Sequence, residues 1–384
     1  MASGGTLLTP PTPNQILFAR NFLLAVNKNK ELQAQNLIIS PAGARSALTL
    51  VFMGAGGKTA DELRSGLMLG PAKKIAIAKQ HAEFISNDCV CNEKGVSIRL
   101  ATGLYVRHDQ DVHPEFVAQA EEFFNTQANT LNFVDAVGSM HQVNSWLQRQ
   151  TFNTVCNLLT ADAFSLESKI FLVNTLYFRA RWAKSFSVQN TELGDFTISS
   201  AQKMQVPMMR QIGEFRFGES KKMNARILQL PFEESDLNLL LIVPLEEMGI
   251  SKLVSKLEKM DLNEVALKSV MHEVDVTVPR FKIECDVDLK KPLQNLGVNR
   301  VFTNAVAELP GLFAKKSTHA ITEARQKLFL SVNEAGCVVD DGESPKVRTF
   351  KANPERKVFV ANHPFVFAIR NNKAVYFVGH FVRP

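Results

Sequence analysis

Residues 36–63 read NLIISPAGARSALTLVFMGAGGKTADEL, and two different folds follow from two readings of their glycines. In the first, Gly57-Lys58-Thr59 closes a phosphate loop, which would link a strand to a helix in an α/β protein. That motif needs another glycine five residues before Gly57, where backbone must approach phosphate, and that position is Phe52. The preceding segment is also wrong for a strand. Ser40-Pro41 is a helix start signal, and the run that follows reads as helix until the glycines. In the second reading the glycines stop that helix, and Thr59 caps the next one over ADELRSGL. Helix, stop, helix leaves no phosphate cradle.

The segments on either side extend this pattern. QILFARNFLLAVNKN (15–29) carries an apolar face at helical spacing, and HQVNSWLQRQT (141–151) is another short amphipathic helix. The first 160 residues are therefore mainly helical in pattern. Strands dominate later. LNLLLIVP (237–244) is a continuous apolar run, as in a strand covered on both faces. VDVTVPRFKIECDVDL (274–289), KVFVANHPFVFAIR (357–370) and KAVYFVGHFV (373–382) are rich in Val and Phe, with RNNKA (370–374) as a hairpin turn. Helices first and strands later predict an α+β fold, not a repeated βαβ wind. No repeat or linker divides the chain, so 1–384 reads as one domain with a flexible N-terminus over 1–12.

The composition excludes several functions. With 384 residues and 45% hydrophobic content the chain can bury a sizeable core. Its 44 basic and 38 acidic residues give a net +6, mixed along the sequence. No basic run is interleaved with stacking aromatics, so nucleic acid is not an expected partner. No apolar run approaches the roughly 18 residues of a membrane helix. MASGGTLLTPPTPNQ lacks the basic start and apolar stretch of a secretory signal. The chain is thus either cytoplasmic or a mature product. Five cysteines (Cys89, Cys91, Cys156, Cys285, Cys337) are too few for a disulfide scaffold, and their odd number leaves at least one unpaired in a monomer. There is no Gly-x-Ser-x-Gly elbow, no His-Glu-x-x-His, and nothing beside Cys89 and Cys91 to complete a metal set. No enzyme, metal or cofactor is expected.

VNSWLQRQTFNTV, LVNTLYFRARWAKSF, LQLPFEESDLNLLLIVP, VTVPRFKIE, LQNLGVNRVF, VNEAG and NHPFVFAIR follow residues 36–63 in order, over more than 300 residues. By these segments the chain resembles the serpin family. The resemblance implies a single domain of three β-sheets and eight or nine helices, with an exposed reactive-centre loop over 337–357. It also implies a monomer, and an extracellular setting because the family is largely extracellular; cytoplasm is the alternative. In inhibitory members a protease cleaves this loop, which then inserts as a new strand of the central sheet and distorts the bound protease. Such a protein supplies bait and a stored conformational transition, with no catalytic group of its own.

Glu334-Ala335-Gly336 matches the start of the family's hinge. Inhibitory members continue with Thr or Ser and a run of alanines, whereas this chain has Cys337-Val338-Val339-Asp340-Asp341-Gly342-Glu343. Side chains alternate faces along a strand, and by resemblance the set that enters the core begins after the hinge glycine. Here it is Cys337, Val339, Asp341 and Glu343. Neutralising either acid at pH 7 costs roughly 3 to 4 kcal/mol, and a barrier raised by about 3 kcal/mol slows insertion more than a hundredfold. Gly342 and Pro345 are also poor residues for a central strand. The expectation is a non-inhibitory serpin-fold protein that acts by binding or as a cleavable loop. The alternative is a suicide-substrate inhibitor of a trypsin-like serine protease. Arg348 or Phe350 would then lie near the scissile bond. Counting forward from Glu334 places that bond at Phe350-Lys351, and counting back from His363-Pro364 places it near Asn353-Pro354.

The resemblance implies a sheet-opening region of Ser40, Gly43, Asn144, Asn174 and Gln326, with Trp182 at the top of the central sheet. Gly43 replaces a usual serine and Gln326 a usual histidine. Gln326 is expected to hydrogen-bond more loosely than a histidine. His380 and Asn362 replace a common arginine and aspartate. Lys73, Lys74 and Lys79 fall where some members bind sulfated polysaccharide, although a solvated helix face is the plainer reading. The basic residues Lys346, Arg348, Lys351, Arg356 and Lys357 offer a second candidate anionic-partner patch. Cys337 is either a reactive thiol or a small apolar plug.

Overall fold

The structure is a computed structural model that describes residues 14–89, 95–154, 159–164, 168–257, 260, 262–315, 319–338 and 356–384. Its first part contains α1 (Asn14–Asn27), α2 (Lys30–Gln33), β1 (Leu37–Ile39), α3 (Pro41–Gly54), α4 (Gly57–Gly66) and α5 (Lys74–Asp88). Then come β2 (Ser97–Arg107), α6 (Pro114–Phe124), β3 (Ala128–Leu131), α7 (Ala136–Gln150) and β4 (Ile170–Arg181). The middle holds β5 (Glu192–Ser199), β6 (Gln202–Ser220), β7 (Ala225–Pro231), β8 (Asn238–Pro244), α8 (Ile250–Lys256) and α9 (Leu262–Leu267). The last part is β9 (Val270–Pro279), β10 (Phe281–Asp288), α10 (Lys290–Asn295), β11 (Ile321–Val332), β12 (Gly336–Cys337), β13 (Lys357–Val360), β14 (Phe365–Arg370) and β15 (Val375–Phe381).

The opening stretch folds as helix, stop, helix. Ser40 Oγ accepts the Gly43 N–H at 3.0 Å, and Pro41 occupies the first turn of α3, where its missing N–H costs nothing. The helix ends at Gly54, with Ala55 extended. One detail is corrected. Thr59 lies inside α4, whose N-cap is Gly56, and Thr59 Oγ1 accepts the Glu308 N–H at 3.0 Å. Its hydroxyl ties α4 to a distant segment, so the capping pattern seen in sequence served tertiary contact instead.

The central sheet runs β10-β11-β4-β2-β3, with β12 added to β4. The second hydrogen-bonded network runs β1-β15-β14-β8-β7-β6-β9-β13, with β5 on β6. Strand β6 pairs with β5 along its first part, with β9 from Met208 to Phe217 and with β7 at its end, so the two smaller sheets merge through it. Ten α-helices occur among the described residues, and the shortest, α2, is four residues long. Strand β2 interrupts the helical first part. It is buried on both faces for most of its length, which removes the alternation that would have marked it.

Strand β4 organises the core. Leu172, Leu176 and Phe178 point to one side, toward α3 and the second network, while Phe171 and Val173 pack on the other side with Val143 and Leu147 of α7. Burying each such side chain contributes about 1.5–3 kcal/mol. The central sheet is thereby covered on both faces, and any new strand in it must present side chains to two interiors.

Candidate functional site

Strands β4 and β11 run parallel and paired from Ile170 and Ile321 to Leu176 and Leu328. Beyond Leu176 the partner of β4 changes. Strand β12 joins it antiparallel, with Gly336 opposite Arg181 and Cys337 opposite Ala180. The chain reaches this place through a turn at Asn333-Glu334-Ala335-Gly336. Asn333 N–H donates to the Gly336 carbonyl at 2.9 Å, and Asn333 Oδ1 accepts from the Ala335 and Gly336 N–H groups at 3.0 and 3.2 Å. Trp182 clasps the turn, its backbone N–H on the Ala335 carbonyl at 3.0 Å and its indole N–H on the Asn333 carbonyl at 2.9 Å. Its ring stacks on Phe232 with centroids 4.9 Å apart.

Glu334 is buried in this turn, and its Oε1 takes two partners. Arg280 Nη2 lies 2.6 Å from its carboxylate, and the Thr191 hydroxyl donates to it at 2.7 Å. Burial alone would raise this carboxyl, but the hydrogen bonds from Arg280 and Thr191 outweigh it and hold the group below the ordinary carboxylate range. Gly336 has φ +148°, and an added Cβ would collide with the Ala180 carbonyl oxygen. Only glycine fits this approach of hinge to sheet.

Cys337 and Val338 were expected within an exposed loop, and both are buried, at 2% and 6% exposure. Lys357, the far end of that expected loop, begins β13. Cys337 packs in the core with Ala180 and Trp182, and burial pushes its thiol well above the ordinary value. The reactive-thiol reading is therefore corrected to the apolar plug. Val338 borders a cleft with Thr151, Tyr177, Phe329 and Ser331, on the side from which α7 approaches. Val339, Asp341, Glu343, Arg348, Phe350 and Lys351 lie outside the described residues.

The structure brings Ser40, Gly43, Asn174 and Gln326 together. Gln326 Oε1 accepts the Ser40 N–H at 2.8 Å, while its Nε2 donates to the Ser40 carbonyl at 2.9 Å and to Asn174 Oδ1 at 3.0 Å. Asn174 Nδ2 donates to the Ala101 carbonyl at 3.0 Å and to Thr102 Oγ1 at 3.3 Å. All of Ser40, Asn174 and Gln326 have zero exposure. The expected looseness of Gln326 is absent, because its amide matches donor and acceptor of one backbone residue. Gly43 gives the room this requires, since a Cβ there would strike Asn174 Oδ1. Asn144 is not part of this cluster. From α7 its side chain exchanges two 2.9 Å hydrogen bonds with the backbone of Leu159, so it fastens the segment after the helix.

Two further expectations change. Lys74 Nζ donates to the Met53 carbonyl at 3.1 Å and to the Ala55 carbonyl, capping the end of α3, so only Lys73 and Lys79 remain on an exposed face. Arg356 Nη2 pairs with Glu273 at 3.1 Å, which removes it from a free basic patch. Asn333, Arg280 and Thr191 were missed as hinge partners. Arg280 had a weak signal, as the single residue between the strands β9 and β10; Thr191 had none.

The sequence profile of the family described as Serpin (serine protease inhibitor) matches residues 14–384. Among curated relatives, Serine protease inhibitor 42Dd of Drosophila melanogaster is 32% identical over 350 residues, covering 91% of this chain and 92% of that protein. Among solved structures, Serpin48 of the insect Tenebrio molitor superimposes with a TM-score of 0.83 at 26% identity, covering 99% of this chain and all of that one. Human thyroxine-binding globulin in complex with thyroxine gives a TM-score of 0.86 at 21% identity, covering 97% and 98%, and shares the fold.

Proposed function

The chain belongs to the serpin family, and from that premise we propose that its reactive loop is presented for binding or cleavage and is not drawn into the central sheet to trap a protease. It acts on no substrate of its own. The register of the hinge carries this reading. Continued down β4 from Cys337 opposite Ala180, the loop would set Val339 opposite Phe178, Asp341 opposite Leu176, and Glu343 opposite Asn174. Opposed residues in an antiparallel pair share a face, here the face on which Leu176 and Phe178 are core.

The two acids then meet different surroundings. Asp341 would be set among apolar side chains, where neutralising it at pH 7 costs roughly 4 kcal/mol. Glu343 would arrive beside Asn174 and Gln326, where parting β4 from β11 would release the Gln326 N–H that now donates to Asn174 Oδ1. Asp341 is the main obstacle. Inhibition is a race between insertion and hydrolysis of the acyl-enzyme, and a barrier raised by about 3 kcal/mol loses more than a hundredfold in that race. A serine protease would then treat the loop as substrate. A binding role has a precedent in the thyroxine-binding globulin that shares the fold. An extracellular setting belongs to the same reading and rests on the family resemblance.

The test is thermal unfolding before and after one cut within 344–353. The expected melting curve does not move on cutting, whereas the Asp341→Ala variant gains a large rise and Glu343→Ala gains less. A large rise in the unsubstituted protein would sink the proposal by showing that the acids are tolerated in the sheet, and an SDS-stable complex with trypsin through Arg348 would establish the inhibitory alternative.

A further inference from the structure

A cavity of about 320 Å³ opens between α3, the start of α1 and α5. Arg45 and Ser46 of α3, Ile77, His81 and Phe84 of α5, and Lys373 of the β14–β15 turn contribute to its walls. Among the described residues that line it, two are cationic and none is acidic.

The charge in this cavity sits on arginine, not histidine. His81 Nδ1 lies 2.9 Å from the Phe123 carbonyl, which can only accept, so Nδ1 carries the proton. Nε2 is then an acceptor and takes the Ser46 hydroxyl at 2.6 Å. Burial, and secondarily the charge of Arg45, push His81 down to about 4, so it is neutral at pH 7.

Arg45 donates from Nε to the Leu67 carbonyl at 3.0 Å and from Nη2 to the Met68 carbonyl at 3.4 Å, at the end of α4. These bonds use two of its five N–H donors, and the side chain still lines the cavity. Among the described residues no carboxylate lies within ion-pair reach of it. Its desolvation is thus uncompensated by an anion from the fold, and the guanidinium is pushed down to about 10. Leu69, Ile77 and Phe84 supply an apolar wall beside it.

We propose that this cavity binds a small amphipathic carboxylate, its head on Arg45 and its apolar body along Ile77 and Phe84. Lys373, largely exposed, stands at the rim with Asp88 3.8 Å away, so the charge offered to an anion inside is that of Arg45. The guanidinium fork suits a carboxylate better than a neutral head, and the volume suits a ligand of modest size.

Isothermal titration calorimetry of the intact chain with octanoate, and with octanol as the uncharged control, tests this. Octanoate is expected to bind one to one, with octanol weaker by roughly tenfold to a hundredfold, the range of a charge-assisted hydrogen bond. Arg45→Met should weaken octanoate by a similar factor. Should that variant fail to fold for want of its contacts at α4, Gln80→Trp decides, because Gln80 is an exposed wall residue and the indole would fill the mouth. Gln80→Trp should abolish octanoate binding while leaving the melting temperature unchanged. Equal affinity for octanoate and octanol, binding that survives in either folded variant, or no binding at millimolar octanoate would each overturn the proposal.

Discussion

At the scale of single residues, Gly43, Asn174 and Gln326 form one unit. Each departs from or matches the family's usual residue on its own, yet the hydrogen bonds show why they belong together. Gln326 takes both backbone groups of Ser40 and the oxygen of Asn174, and that oxygen occupies the space a Gly43 side chain would need. Gly43→Ser, although it restores the usual residue, is therefore expected to destabilise by about 1–3 kcal/mol, since Asn174 is held from several sides. Paired with Gln326→His it should cost less than the sum of the two single changes. Urea unfolding of the two single variants and the double variant measures this, and simple additivity would refute the coupling. The substitution of Gln for His was legible in sequence; that its geometry would be closed and not loose was not. Hydrogen-bond fit depends on where Ser40 and Asn174 sit, 286 and 152 residues away.

At the scale of elements, the hinge strand β12 is short and depends on its anchors. Gly336 allows the backbone approach to Ala180, Glu334 ties the turn to Arg280 and Thr191, and Trp182 holds it from above. Gly336→Ala is expected to expel β12 from β4 and expose Cys337. Labelling with iodoacetamide, read peptide by peptide, should be slow at Cys337 in the unsubstituted protein and at least tenfold faster in the variant. Equal rates would mean that β12 keeps its seat without the glycine. The motif Glu-Ala-Gly was visible in the sequence, and its resemblance to the family's hinge implied the parity that sends Cys337 inward. Where the hinge stops being strand was not visible, because nothing local marks it. The end is set by the register with Ala180 and Arg181.

For the whole molecule, acid stability reflects interior histidines. Burial, offset by the Phe123 carbonyl and reinforced by Arg45, depresses His81 to about 4, against an ordinary value of 6.5. A neutral histidine of this kind supports the fold fully above its unfolded pKa, and the support fades as pH falls from 6.5 toward 4, by about 3 kcal/mol at most. His363 and His380 are depressed by burial in the same direction. Urea midpoints at pH 7.5, 5.5 and 4.5 should therefore fall with acid, and fall less steeply in His81→Gln; parallel slopes would refute the assignment to His81. The sequence by itself determined the α+β order of elements, the family, the helix–stop–helix of residues 36–63 and the inward parity of the hinge. The order of elements and the helix–stop–helix depend on local spacing and capping, which residues close in sequence dictate, whereas the family and the parity of the hinge came from resemblance to the family's motifs. Only the tertiary structure decided that Thr59 bonds Glu308 and does not cap, that Asn144 fastens Leu159, that Lys74 turns inward, and that Arg45 stands in a cavity with no acid among its described lining residues. Each of these depends on which distant polar group arrives within about 3 Å of a side chain, and no local pattern encodes that arrival.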